Sequence, residues 1–143
     1  LKDSQDPDGP GDTSLIDLVV QWFSKNGFDF AYVYLGFTDN VGHKYGWMSE
    51  QYLRAIEHAD ECIGRVQGIL PEDTTIFVTS DHGGHDQTHG TPALEDMTIP
   101  LIIQSEGLTG ELKDDLSILD IAPTIAKLLG LKTPKEWIGK AIV

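Results

Sequence analysis

Two short stretches carry the residue types that hold metal ions. Residues 80–90 read SDHGGHDQTHG and gather three of the chain's five histidines, two aspartates and three glycines. Upstream, residues 38–43 read TDNVGH, an aspartate and a histidine four apart with a glycine between them. Carboxylate oxygen and imidazole nitrogen together suit zinc or manganese. Asp39 and His43 converge on one ion if the backbone turns tightly at Gly42. Asp81 and His82 are chain neighbours, which a pleated strand would send to opposite faces. Gly83 and Gly84 free the backbone from that geometry, so both side chains can swing towards one ion, and Gly90 permits close approach near His89. Each stretch alone also reads as a capped helix mouth or a solvated loop. Two such loops at one sheet edge read as a metal centre.

The surrounding pattern supplies that edge. Residues 1–12, LKDSQDPDGPGD, are rich in Asp, Pro and Gly and read as a linker or exposed loop. Leu15, Ile16, Val19, Trp22 and Phe23 recur at helical spacing, with Ser14 and Asp17 as a capping box and Gly27 as the stop. FDFAYVYLGF (28–37) is a nearly continuous aromatic and β-branched run, suited to a strand buried on both faces. A second helix is expected from Ser49 to Leu70, closed by Pro71. TTIFVTS (74–80) and IPLIIQS (99–105) read as strands, and SILDIAPTIAKLLG (117–130) as a third helix. This alternation predicts an α/β sandwich with a mainly parallel sheet. In such sheets functional residues gather past the carboxyl ends of strands, where both stretches fall.

Composition removes several function classes. The net charge of −13 argues against a binder of nucleic-acid duplexes, although bound divalent cations can reverse the local field and admit anionic substrates. No apolar run approaches the roughly 18 residues that span a bilayer. The single cysteine, Cys62, rules out an internal disulfide.

DNVGHKYGWMSEQYLRAIEHADECIG followed by TSDHGGHDQTHG resembles the alkaline phosphatase superfamily, most closely its type I phosphodiesterase and nucleotide pyrophosphatase branch. DIAPTIAKLLGL and the later WIGK are similar to the close of that family's catalytic domain. The resemblance covers residues 13–143 and implies a three-layer sandwich holding two divalent ions, usually zinc and sometimes manganese. By motif, Asp39, His43 and His89 would hold one ion, and Asp81 and His82 part of the other. His85 fits the third-ligand position less well and would support a ligand or face substrate. The nucleophilic Thr or Ser and the remaining ligand belong to a preceding half of the family's domain. Thr38, Thr79 and Ser80 do not occupy that position. The implied function is phosphoester hydrolysis of a small molecule by the whole protein, with this chain inactive alone. The rivals are a phosphotransferase, a cofactor-independent phosphoglycerate mutase, or a non-catalytic metal- or partner-binding domain. A sulfatase fits least, because calcium prefers all-oxygen ligands. Trp47 is a candidate pocket wall. His58 reads as solvated, Cys62 as buried and inert, and Glu95–Asp96 as a charged loop.

Overall fold

A computed structural model describes residues 6–107, 109–112 and 116–143. They fall into two units, divided between Glu106 and Gly107. In the first, helices α1 (Thr13–Phe23), α2 (Phe37–Tyr45) and α3 (Glu50–Gln67) precede strand β1 (Ile76–Thr79), the short helix α4 (Leu94–Met97) and strand β2 (Leu101–Gln104). Helix α3 packs on both α1 and α2. Ile16, Val41, Ala55 and Cys62, drawn from all three helices, are at most 2% exposed. Each fully buried aliphatic side chain contributes about 1.5–3 kcal/mol.

Helix α3 starts where the sequence signals it: Ser49 is the N-cap and its hydroxyl accepts from the Tyr52 amide at 3.2 Å. Ser49→Ala is expected to cost about 1 kcal/mol, read as a lowered denaturant midpoint; an unchanged midpoint would show that packing alone holds this end. Helix α1 departs from the expected capping box. Its N-cap is Asp12, which makes no side-chain cap bond. The Asp12 carboxylate turns instead to the Phe37 amide at 3.2 Å, tying the start of α1 to the start of α2. Burial raises the Asp12 pKa, against the opposing hydrogen bonds from the Phe37 and Gly36 amides.

The sheet differs from the expected mainly parallel one. Among the described residues it has two strands, β1 and β2, and they are antiparallel, with Ile76 opposite Gln104 and Thr79 opposite Leu101. A parallel pair needs a long crossover back to the starting edge. Residues 80–100 make none: they leave the end of β1 and re-enter β2 at that same end. The SDHGGHDQTHG stretch is therefore held at one sheet end.

The run 28–36 is not a strand among the described residues. Its burial alternates over residues 32–35, as in extended chain, but no ladder partner pairs with it. Phe30, Tyr32 and Tyr34 are more than half exposed. Phe37, expected to end this strand, begins α2.

In the second unit a 3-10 turn (Ile118–Asp120) leads into α5 (Ile121–Leu128). Asp120 accepts from the amides of Lys140 at 2.7 Å and Ser117 at 2.9 Å, and these bonds lower its pKa. Pro123 sits in the first turn of α5, where its missing N–H is harmless. Gly130, at φ +67°, ends the helix.

Candidate metal centre

Asp39 and His43 do converge, by a different route from a turn at Gly42. Gly42 lies inside α2, so Asp39 and His43 stand one helical turn apart on one face. His43 Nε2 is 3.6 Å from Asp39 Oδ1. Gly42 serves by its size: a Cβ there would lie 2.9 Å from the Trp47 indole.

The second stretch brings two more imidazoles to the same oxygen. His82 Nε2 and His89 Nε2 each lie 3.7 Å from Asp39 Oδ1. The ligand atoms of Asp39, His82 and His89 all fall within 4.8 Å of one another. The His82 and His89 rings stack at 3.7 Å, and the His43 ring centroid is 5.0 Å from that of His89. Asp81 flanks the group, Oδ1 3.7 Å from His82 Nε2, with its side chain 68% exposed. His82 thus stands about as near Asp39 as His43 does.

Three observations fit this group to a divalent ion. Asp39 Oδ1 is buried and has no hydrogen-bond partner among the described residues, a state that costs about 1–3 kcal/mol when nothing offsets it. The 3.6–3.7 Å separations are too long for hydrogen bonds. They are close to the roughly 3.4 Å between two ligands each about 2.0–2.1 Å from a tetrahedral ion. Finally, His43 Nδ1 lies 3.0 Å from the Gln87 carbonyl, and His82 Nδ1 lies 2.7 Å from the Gly83 carbonyl. A carbonyl only accepts, so each Nδ1 donates its hydrogen, and in the neutral ring the Nε2 lone pair is left for a metal.

Trp47 forms one wall. It meets His43 edge-on at 5.2 Å and His89 at 5.8 Å, and its amide donates to the Asp86 carbonyl at 2.7 Å. Gly84 is small for the same reason as Gly42, since a Cβ would reach the indole at 2.3 Å. Neither Gly83 nor Gly84 has a positive φ, so both supply space and not unusual backbone geometry. Gly90 does need glycine for its backbone, at φ +89°.

Asp96 is a residue the sequence did not reveal. Read there as part of a charged loop, it is 3% exposed, and its Oδ1 accepts from His85 Nδ1 at 2.7 Å. This bond is the main cause of a raised His85 pKa and of an Asp96 pKa lowered to about 2. The His85 contribution is complete below its usual 6.5 and is lost as pH rises through the raised value. The Asp96 contribution is complete above its usual 3.8 and is lost as pH falls through about 2. The destabilisation by His85→Ala is therefore expected to be greatest from about pH 4 to pH 6.5 and to shrink on either side. Denaturation midpoints across pH check this; a pH-independent difference would contradict it.

Tyr34 and Tyr52 also join the surroundings unannounced. Burial raises the pKa of both, with Asp81 and Asp39 adding to the effect at Tyr34 and Asp39 at Tyr52. His58 is the reverse case: expected in solvent, it packs edge-on against Phe37 at 6.0 Å, with Nε2 3.6 Å from Cys62 Sγ. Cys62 is buried as expected, and burial raises its pKa. Thr79 is committed structurally, its hydroxyl donating to the Pro100 carbonyl at 2.9 Å.

Asp39, His82 and His89 could offer three ligand atoms to one ion, with His43 beside Asp39, and the comparison of sequences points the same way. Residues 11–133 match the metalloenzyme superfamily; the chain belongs to this alkaline phosphatase-like family. Among its relatives is the 2,3-bisphosphoglycerate-independent phosphoglycerate mutase of Clostridium kluyveri, 34% identical over 132 residues. The match covers 87% of this chain but 25% of the mutase, so the chain spans about a quarter of that relative's length. The superfamily expected from the motifs stands. The phosphodiesterase and nucleotide pyrophosphatase branch gains no such support, since the relative is a mutase.

Proposed function

We propose that this chain supplies the metal-binding part of a phosphoryl-transfer enzyme, and that the whole protein is a phosphotransferase of the phosphoglycerate mutase kind. The observation that carries this reading is the buried Asp39 Oδ1, without a hydrogen-bond partner among the described residues, facing three histidine Nε2 atoms. Asp39, His43 and His89 are the proposed ligands of one divalent ion, and Asp81 and His82 contribute to a second. Zinc suits the nitrogen-rich set, with manganese the alternative. When bound, such ions supply positive charge at the attacking and leaving oxygens of a phosphoryl group. The chain's own groups prepare that position. The Gln87 and Gly83 carbonyls orient His43 and His82, and Trp47 shields one side from water. No hydroxyl of this chain is proposed as nucleophile. The fold proposed for the whole protein remains the three-layer sandwich with a mainly parallel sheet, residues 13–143 forming the C-terminal part of its catalytic domain.

Residues 1–143 alone are expected to bind Zn2+ or Mn2+ and to turn over no phosphoester. Metal titration and a phosphodiesterase assay on this chain check both halves, and substantial turnover would overturn the division of labour. In the whole protein that carries these residues, metal-dependent interconversion of monophosphoglycerates is expected. Phosphodiester hydrolysis without interconversion would overturn the mutase reading in favour of the phosphodiesterase.

A further inference from the structure

His85 stands apart from the group converging on Asp39, yet it belongs to the tightest set of hydrogen bonds in the loop. The buried Asp96 carboxylate accepts three times: from His85 Nδ1 at 2.7 Å, from the Thr91 amide at 2.8 Å and from the Thr91 hydroxyl at 2.7 Å. The backbone carbonyls of Glu95 and Asp96 accept from the amides of Gly84 and Gly83, at 2.9 and 2.8 Å. The Glu95–Asp96 segment therefore grips the loop at residues 83–85 and again at 91. Between those grips, His85 and Thr88 exchange both backbone hydrogen bonds, at 3.0 and 2.9 Å. Asp86 is held there at φ +46°, a left-handed conformation that aspartate tolerates better than most side chains. Inside the gripped segment lie Gln87, whose carbonyl orients His43, and His89, which faces Asp39.

We infer that Asp96 is a positioning residue for the metal centre: through His85 and Thr91 it fixes the loop path that sets His89 against Asp39 and the Gln87 carbonyl against His43. A carboxylate is suited to this because it only accepts and offers about four lone-pair sites. An amide there would turn an N–H towards one of its three donors. The inference rests on reading the Asp39 group as a metal site.

The test compares wild type, Asp96→Asn, His85→Ala and His85→Asn, each as the full 143-residue chain. Mn2+ affinity is read by calorimetry and the fold by circular dichroism. Asp96→Asn and His85→Ala are expected to keep the helical spectrum and to lose about tenfold or more in Mn2+ affinity, the scale on which outer hydrogen-bond partners act. His85→Asn restores an N–H donor near the position of Nδ1 and is expected to bind close to wild type, a rescue that general loosening of the fold would not produce. His85→Ala binding Mn2+ as tightly as wild type would overturn the inference, and so would His85→Asn binding as weakly as His85→Ala. If Asp96→Asn does not fold, the two His85 variants decide. A wild type that binds no Mn2+ would instead sink the metal reading itself, and the inference with it.

Discussion

Asp39→Asn is expected to lower Zn2+ or Mn2+ affinity by more than about 100-fold, beyond the roughly 10–100-fold lost with an outer hydrogen-bond partner, while leaving the metal-free fold nearly as stable. The two effects separate because Asp39 Oδ1 does no structural work. It is buried without a hydrogen-bond partner among the described residues, and the three imidazoles around it sit at 3.6–3.7 Å, outside bonding range. An amide oxygen fills the same space with less cost of burial but without the charge that a cation needs. The small loss that remains comes from the first turn of α2, where a carboxylate is favoured by the helix N-terminus. Metal titration beside thermal unfolding in chelator checks the pair of outcomes. A collapse of metal-free stability would mean that Asp39 is a structural residue.

Gly83→Ala is expected to lower stability by about 3 kcal/mol or more, at the upper end for overpacked sites. The added Cβ would lie 2.0 Å from the Glu95 carbonyl oxygen and 2.8 Å from that of Thr98. Both obstacles are backbone and cannot rotate aside. Separating the strands of the loop also strains the bond from the Gly83 amide to the Asp96 carbonyl. Gly84→Ala is the informative contrast. Its obstacle is the Trp47 ring, at 2.3–2.6 Å, a side chain that can move, so stability falls less. The displaced indole disturbs His43 and His89 instead, and metal affinity falls. Denaturation and metal titration of the two variants separate these effects; equal losses of stability would contradict the distinction.

That Asp39, His43, His82 and His89 stand near one another agrees with their expected convergence, which could be read because ligand chemistry depends on residue type. The means of convergence were less legible. The spacing of Asp39 and His43 is one helical turn, but FTDNVGHKY contains Gly, Asn, Thr and Val, all weak helix formers. The aromatic run before it also masked the helix start. Contacts distant in sequence set that start, the Asp12 carboxylate meeting the Phe37 amide. Strand direction was hidden for a related reason. Ile76–Thr79 and Leu101–Gln104 are short apolar runs that suit either orientation, and only the return of residues 80–100 to the same sheet end decides it. Asp96 was invisible because an acidic pair in a loop reads as surface; its burial exists only once residues 83–91 fold over it.

The proposed metal centre sets Asp39 among the imidazoles of His43, His82 and His89. Nitrogen-resolved spectra of the histidine rings during a Zn2+ titration test it most directly, because all five histidines report at once and two serve as internal controls. The predicted result is that Nε2 of His43, His82 and His89 all shift, while His58, packed against Phe37 and Cys62, and His85, bound to Asp96, stay in place. Zn2+ that leaves those three unmoved, or that shifts His58 or His85 in their stead, would contradict it.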